Sequence, residues 1–446
     1  MRRVNMDLSC IPDSRSFRHA RRAPLVCLAA VLAACPPLID REAATQDVVR
    51  GWVEAPDGGG WRMDSLAHPV AVYADRSRSM RGFLDPAYPT RVDYRSVIDG
   101  LQARLGPRRV YGFGSSVRIE PKAGLDVLGS REFYGDRDTE MEEALDSIAR
   151  DTLLAWSHVV IGDARRSNPD LAHRQFVRMR ELALRWSRAR GTFLVAVSRA
   201  PFRPVQGDPS GCHAASAGVR GDSARQCPLY AFVFAAPGDG VRIATELAGL
   251  FEHVWGYPLP TAPLGAVTLW PRDAAEPDGV RYDAAWLSDP AVVPRLEADS
   301  PATRAFRAGL VATDTAAPAG RLLARLLAGG AGLEISARPV TADSIAAPWR
   351  RQDGGTGSVR ASTGGTGVDV FSPGGDECAS AEAGEPCGTL YRIEVRAPGV
   401  PPWLARFEAR EAADAERTFG LGRLFEPFLP LAATAPPLAR SYLLVR

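Results

Sequence analysis

The sequence predicts an open α/β sheet covered by helices on both faces, followed by a mainly β half. Three observations predict it. Short apolar runs that do not alternate, at 69–74 (PVAVYA), 159–162 (VVIG) and 229–234 (LYAFVF), suit strands buried on both sides. Between the strands, apolar residues fall near helical spacing, beginning with Val92, Ile98, Leu101 and Leu105. Beyond about residue 261 strand-like pieces dominate, separated by Pro and Gly. With 446 residues, 46% hydrophobic and 24% charged, the chain has room for two or three domains. That composition excludes a mostly disordered, collagen-like or multi-span membrane protein.

The first element is a leader, residues 1–34. Arg2, Arg3, Arg15, Arg18, Arg21 and Arg22 precede the apolar run 23–34, which is too short to span a bilayer but suits a signal-peptide core. The run ends in Leu32-Ala33-Ala34-Cys35, which resembles a bacterial lipoprotein box. The resemblance implies cleavage before Cys35, lipidation of its thiol and a lipid-anchored place in the cell envelope. Pro36 stands where some bacteria carry an inner-membrane retention Asp, so the outer membrane, facing the periplasm, is the expected address. Residues 35–66, rich in Pro, Gly and charge, are expected to be a tether.

The sheet domain is expected over 67–260. After the strand 69–74 and the helix 92–105 come a hairpin at 109–119 (RVYGFGSSVRI) and a helix with Met141, Ala144, Leu145 and Ile148 on one face. Then follow a strand at 159–162, a helix at 171–188, strands at 192–197 and 229–234, and a helix at 241–254. Residues 261–446 form the β-rich half, with strands at 265–270, 333–339, 358–362, 368–371 and 390–395. One helix is expected at 301–327, capped by Ser300 and broken by Pro318. Phe419, Phe425 and Phe428 are expected to dock onto this half.

Of seven cysteines, Cys10 and Cys27 would leave with the expected leader and Cys35 would carry the lipid that the resemblance implies. The other four lie in two close pairs, and the simplest of three possible pairings is Cys212–Cys227 with Cys378–Cys387. Neither pair has zinc-like spacing. Net charge is +2, which gives no support to nucleic-acid binding by bulk charge. Lys122 is the single lysine, so the basic residues are almost all Arg, whose planar forks suit carboxylates.

Chemistry concentrates directly after the first strand, in Asp75-Arg76-Ser77-Arg78-Ser79. This spacing places one carboxylate and two hydroxyls on one tight loop at the carboxyl edge of a buried strand, where open α/β sheets bind ligands. Thr139, after the loop Gly135-Asp136-Arg137-Asp138, and Asp163, after the VVIG strand, supply two more oxygen donors at compatible places. Five hard oxygen donors without Cys or His select Mg²⁺, Mn²⁺ or Ca²⁺. Only two of the five are formally charged, so a bound ion keeps positive charge beyond what its hydroxyl ligands can neutralise and favours an anionic further ligand.

The stretch 67–257 resembles a von Willebrand factor type A (vWA) domain, a Rossmann-like fold with a metal-ion-dependent adhesion site. DxSxS after the strand, the hairpin VYGFGSSVRIE, DTEMEEAL and VVIGDAR carry the resemblance. It implies Ser77 and Ser79 as direct ligands, Thr139 as a direct or switchable one, and Asp75 and Asp163 acting mostly through waters. The remaining position would be filled by an acidic residue of a protein partner. Arg78 replaces the Gly usual between the serines, and Ala164 replaces a common Gly after Asp163. With Arg76, Arg165 and Arg166, Arg78 is expected either to form a basic rim that steers an acidic ligand or to fill the site in place of a metal. No nucleophile elbow, P-loop, HExxH or GxGxxG is present. The expectation is therefore a non-catalytic envelope lipoprotein that binds a protein partner through a metal. The alternatives are a structural lipoprotein with an arginine-filled site, and a hydrolase with an unrecognised site in the C-terminal half.

Overall fold

The computed structural model describes residues 41–52, 65–84, 92–120, 124–165, 172–203 and 225–258 of the first half. In the second half it describes 267–271, 280–287, 293–298, 306–312, 318–328, 332–341, 348–352, 359–361, 367–370, 385–397, 399–401, 403–409, 417–435 and 437–445. Residues 1–40, with Cys35, and Arg166, Cys212, Cys378 and most of both GGTG segments lie outside these residues.

In chain order the first half contains α1 (Arg41–Trp52), β1 (Val70–Asp75), α2 (Tyr94–Leu105), β2 (Arg109–Phe113), β3 (Val117–Ile119), α3 (Met141–Ala149) and β4 (Ser157–Gly162). It continues through α4 (Ala172–Arg188), β5 (Thr192–Phe202), β6 (Arg225–Ala235), α5 (Gly240–Ala248) and β7 (His253–Tyr257). The seven strands form one sheet in the order β3-β2-β1-β4-β6-β5-β7. β1 is central, pairs in parallel with β2 and β4, and is buried along its whole length. Its alternate residues serve two cores. Val70, Val72 and Ala74 pack with Val97, Ile98, Leu101 of α2 and Ile243, Leu247 of α5. Ala71 and Tyr73 pack with Met141, Leu145 of α3 and Phe176, Met179 and Trp186 of α4. The helices follow their local signals: Asp93 caps α2 by accepting from the Ser96 N–H at 2.8 Å, and Gly106 ends it at φ 53°.

The sheet is mixed rather than mostly parallel. β6 lies between β4 and β5 and runs antiparallel to both, and β7 is antiparallel to β5. β5 and β6 are joined without a described helix, and a direct connection yields an antiparallel pair whereas a parallel pair needs a crossover. Eleven residues of β5 face eleven of β6, from Thr192↔Ala235 to Phe202↔Arg225. The expected helix at 241–254 stops at Ala248, because Trp255 belongs to the edge strand β7.

The second half contains β8 (Val267–Pro271), β9 (Val280–Leu287), β10 (Val293–Ala298), β11 (Phe306–Ala312), α6 (Pro318–Ala328), β12 (Gly332–Pro339), β13 (Arg350–Arg351), β14 (Val359–Ala361) and β15 (Gly367–Val370). Then come β16 (Thr389–Arg396), α7 (Leu404–Phe407), β17 (Glu408–Ala409), β18 (Thr418–Phe419), α8 (Phe428–Thr434) and β19 (Ala439–Val445). A six-stranded sheet, β13-β12-β16-β19-β10-β9, and a four-stranded one, β14-β15-β11-β8, dominate it. The helix expected over 301–327 is two elements. Phe306–Ala312 is a strand, and Pro318 opens α6 instead of breaking a helix, a position where its missing N–H costs nothing.

The two halves share apolar cores. Leu322, Leu323, Ile335, Ile393 and Leu443 join the α2/α5 side. Trp403, Phe407, Phe425 and Phe428 join the α3/α4 side, so Phe425 and Phe428 dock on the first-half sheet rather than on the β-rich half. Within the stretch read as a tether, α1 buries Val49 with Val340, Leu390, Tyr442 and Leu444.

Candidate metal centre

β1 and β4 are parallel neighbours with Ala74 opposite Ile161, so Asp75 and Asp163 leave the sheet side by side at its carboxyl edge. Gly162 makes their approach possible: a Cβ there would lie 3.0 Å from Asp75 Cβ. The loop after β1 then folds on its own carboxylate. The Ser77 N–H donates to Asp75 Oδ1 at 2.8 Å, the Ser77 and Ser79 hydroxyls are hydrogen-bonded at 2.9 Å, and Ser79 Oγ donates to Asp163 Oδ2 at 3.1 Å. On the far side the Arg165 N–H donates to Asp163 Oδ1 at 3.0 Å. The Thr139 loop is tied in by backbone: Arg78 N–H donates to Asp136 O at 3.0 Å, Asp136 N–H to Arg76 O at 3.2 Å, and Glu140 N–H to Gly114 O at 3.1 Å. Asp75, Ser77, Ser79, Thr139 and Asp163 are all buried, none more than 5% exposed.

Burial, and secondly the charge of Asp163, push the Asp75 carboxyl well above the usual carboxylate range; donors from Ser77 and Thr139 act in the opposite sense. Asp75 Oδ2 is buried and has no hydrogen-bond partner among the described residues. Two buried acids held together need either a shared proton or a cation. The Ser77–Ser79 and Ser79–Asp163 contacts, at 2.9 and 3.1 Å, are ordinary hydrogen bonds that gather three oxygens at one point of the sheet edge. Among the described residues no three His, Cys, Asp or Glu side chains form a metal-holding group. This centre has two carboxylates and otherwise hydroxyls.

Among the described residues, Arg76, Arg78 and Arg165 do not form one ring. Arg76 turns back, donating from Nε to Phe133 O at 3.2 Å, with Nη1 3.8 Å from Glu120 Oε1 and its guanidinium 5.3 Å from the centre of the Phe133 ring. Arg78 is exposed and forms no ion pair with Asp75 or Asp163 among the described residues. Arg165 Nη2 donates to Arg417 O at 3.1 Å, and the Tyr230 and Thr418 hydroxyls meet at 2.9 Å, so the C-terminal half reaches this edge of the sheet. Cys227 and Cys387 are disulfide-bonded; the cysteines expected to pair with them lie outside the described residues.

Sequence reasoning missed two features of the centre. Asp136 is built into it through the bridge to Ser77; the acidic loop GDRD before Thr139 was the available signal. Ala164 adopts φ 54°, a left-handed conformation unusual for a residue with a Cβ. No helix among the described residues is long and apolar enough to cross a membrane. No family model, no curated protein and no solved structure matches the chain.

Proposed function

We propose that the chain is a lipid-anchored protein of the bacterial cell envelope that captures an acidic side chain of a protein partner through a divalent cation on a vWA-like domain. The observation that carries this is the pair Asp75 and Asp163, buried side by side with Ser77, Ser79 and Thr139, one Asp75 oxygen lacking a described partner. Ser77, Ser79 and Thr139 would hold Mg²⁺, Mn²⁺ or Ca²⁺ with the carboxylates behind them. The ion would supply a Lewis-acidic attachment point for the partner's carboxylate. The parallel trio β2-β1-β4, with the candidate loops at its carboxyl edge, supports the vWA likeness; the antiparallel β6 departs from the mostly parallel sheet that the likeness implies. The exposed Arg78 beside the serines suits a rim that steers anions.

A thermal melt in EDTA, then in excess Mg²⁺, Mn²⁺ or Ca²⁺, tests the proposal. An ion at about 100 times its dissociation constant adds about 2.7 kcal/mol, a shift of a few degrees. The shift is expected to vanish in Ser79→Ala with the fold intact. No shift in the wild-type protein would favour the metal-free alternative.

A further inference from the structure

The two loops that carry the hydroxyls are joined through Asp136. Its backbone makes both bonds of the bridge to the Ser77 loop. Its side chain is half-buried, and Oδ2 is fully buried with no hydrogen-bond partner among the described residues. That oxygen presses on Gly114, just beyond β2, where an added Cβ would fall 2.1 Å from it. Gly114 accepts from Glu140, the residue after Thr139. The carboxylate therefore lies against the end of β2, while the Asp136 backbone ties the Thr139 loop to the Ser77 loop.

A buried carboxylate oxygen without a donor is costly. Arg76, which shares backbone bonds with Asp136, is engaged with Phe133 and Glu120. Hard divalent ions keep several waters in their shell, and such waters are strong donors. We propose that Asp136 is a third carboxylate of the centre, a positioning residue that accepts a hydrogen bond from ion-bound water without touching the ion. This rests on the metal reading above and deepens it. Asp136 would tighten the ion and, by adding negative charge, moderate the loaded centre's attraction for an anionic partner. The glycine at 114 leaves room for that carboxylate.

The test is Mn²⁺ affinity of the full chain, by calorimetry or by the electron-spin signal of free Mn²⁺, alongside melts in EDTA. Asp136→Asn is expected to weaken Mn²⁺ binding about tenfold or more, the usual size for outer-shell partners, while its melt in EDTA does not fall. Asp138→Asn removes an equal charge from an exposed neighbour and is expected to change affinity less than about twofold, as screened surface charges do. Gly114→Ala keeps every charge but displaces the carboxylate, and is expected to weaken binding similarly; it decides the matter if Asp136→Asn does not fold. Wild-type affinity in Asp136→Asn, or an equal loss in Asp138→Asn, overturns the role of Asp136 alone. A wild-type chain that binds no Mn²⁺ overturns the metal reading and this role with it.

Discussion

The Ser79 hydroxyl donates a 3.1 Å hydrogen bond to Asp163 Oδ2 across 84 residues of sequence. The bond fastens the loop after β1 to the loop after β4 and places a hydroxyl on the buried Asp163 carboxylate. Its geometry follows from the parallel register of the two strands, which ends both at one edge of the sheet.

Asp75 is the next point of test. Its folded-state pKa is raised by burial and by Asp163, so the native state holds its proton more tightly than the unfolded chain. The associated stability is fully present below the unfolded value near 3.8 and is lost as pH rises through the raised folded value. Asp75→Asn removes that loss and can keep the Oδ1 bond from Ser77. In EDTA at neutral pH the variant is expected to melt above wild type, and to show no response to Mn²⁺. A lower melting temperature in EDTA would show that the two acids do not strain the metal-free fold.

His158 gives an independent pH test away from the centre. It is buried, and desolvation lowers its pKa although Asp151, at 3.1 Å from Nε2, pulls the other way. For a lowered histidine, stability is present above the unfolded value near 6.5 and lost as pH falls through the folded value. Melts between pH 7.5 and 4.5 are expected to fall more steeply for wild type than for His158→Gln. Parallel curves would refute the assignment.

Ala164 sits at φ 54° with its methyl buried. The left-handed region costs a residue with a Cβ roughly 1–2 kcal/mol. Ala164→Gly relieves that cost while losing a buried methyl, so its stability is expected to stay within about 1 kcal/mol of wild type. Ala164→Val adds a β-branch where it fits worst and is expected to cost 2 kcal/mol or more by order of magnitude. Urea denaturation of the two variants checks the contrast; equal destabilisation would mean that volume, not backbone, governs the position.

Much of the first half was legible because its signals are local. Of the expected helix face, Ile98, Leu101 and Leu105 are buried on α2, while Val92 lies just before the helix; the hairpin pairs Tyr111 with Ile119 around its Gly-Ser turn. Strand direction was not legible: LYAFVF reads the same in a parallel or an antiparallel neighbour, and only pairing places β6 between β4 and β5. In the second half, 280–287 and 439–445 became strands without standing out as apolar runs, since RYDAAWL and ARSYLLV mix polar and apolar residues. At the centre, the serines and Asp163 were legible as oxygen donors on loops after apolar strands. The acidic loop GDRD before Thr139 was visible, but which of its residues meets the Ser77 loop was not, because that depends on a backbone bridge formed only when two distant loops meet.

The aromatic seam between the halves supplies the last prediction. Phe428 is fully buried, 5.2 Å from Trp255, 5.3 Å from Tyr257 and 6.2 Å from Phe193 by ring centres. Trp255 also meets Phe425 edge-on at 4.9 Å. The edge strand β7 thus presents its tryptophan to a segment more than 160 residues later in the chain, and that segment also carries the Arg417 carbonyl bonded by Arg165. A Phe→Ala change in such packing costs about 3–5 kcal/mol. Phe428→Ala is expected to show that loss in chemical denaturation, and to lower the single unfolding transition if the shared core makes the halves one cooperative unit. A loss below about 1 kcal/mol would contradict the seam. Two separated transitions would show that the halves unfold independently despite it.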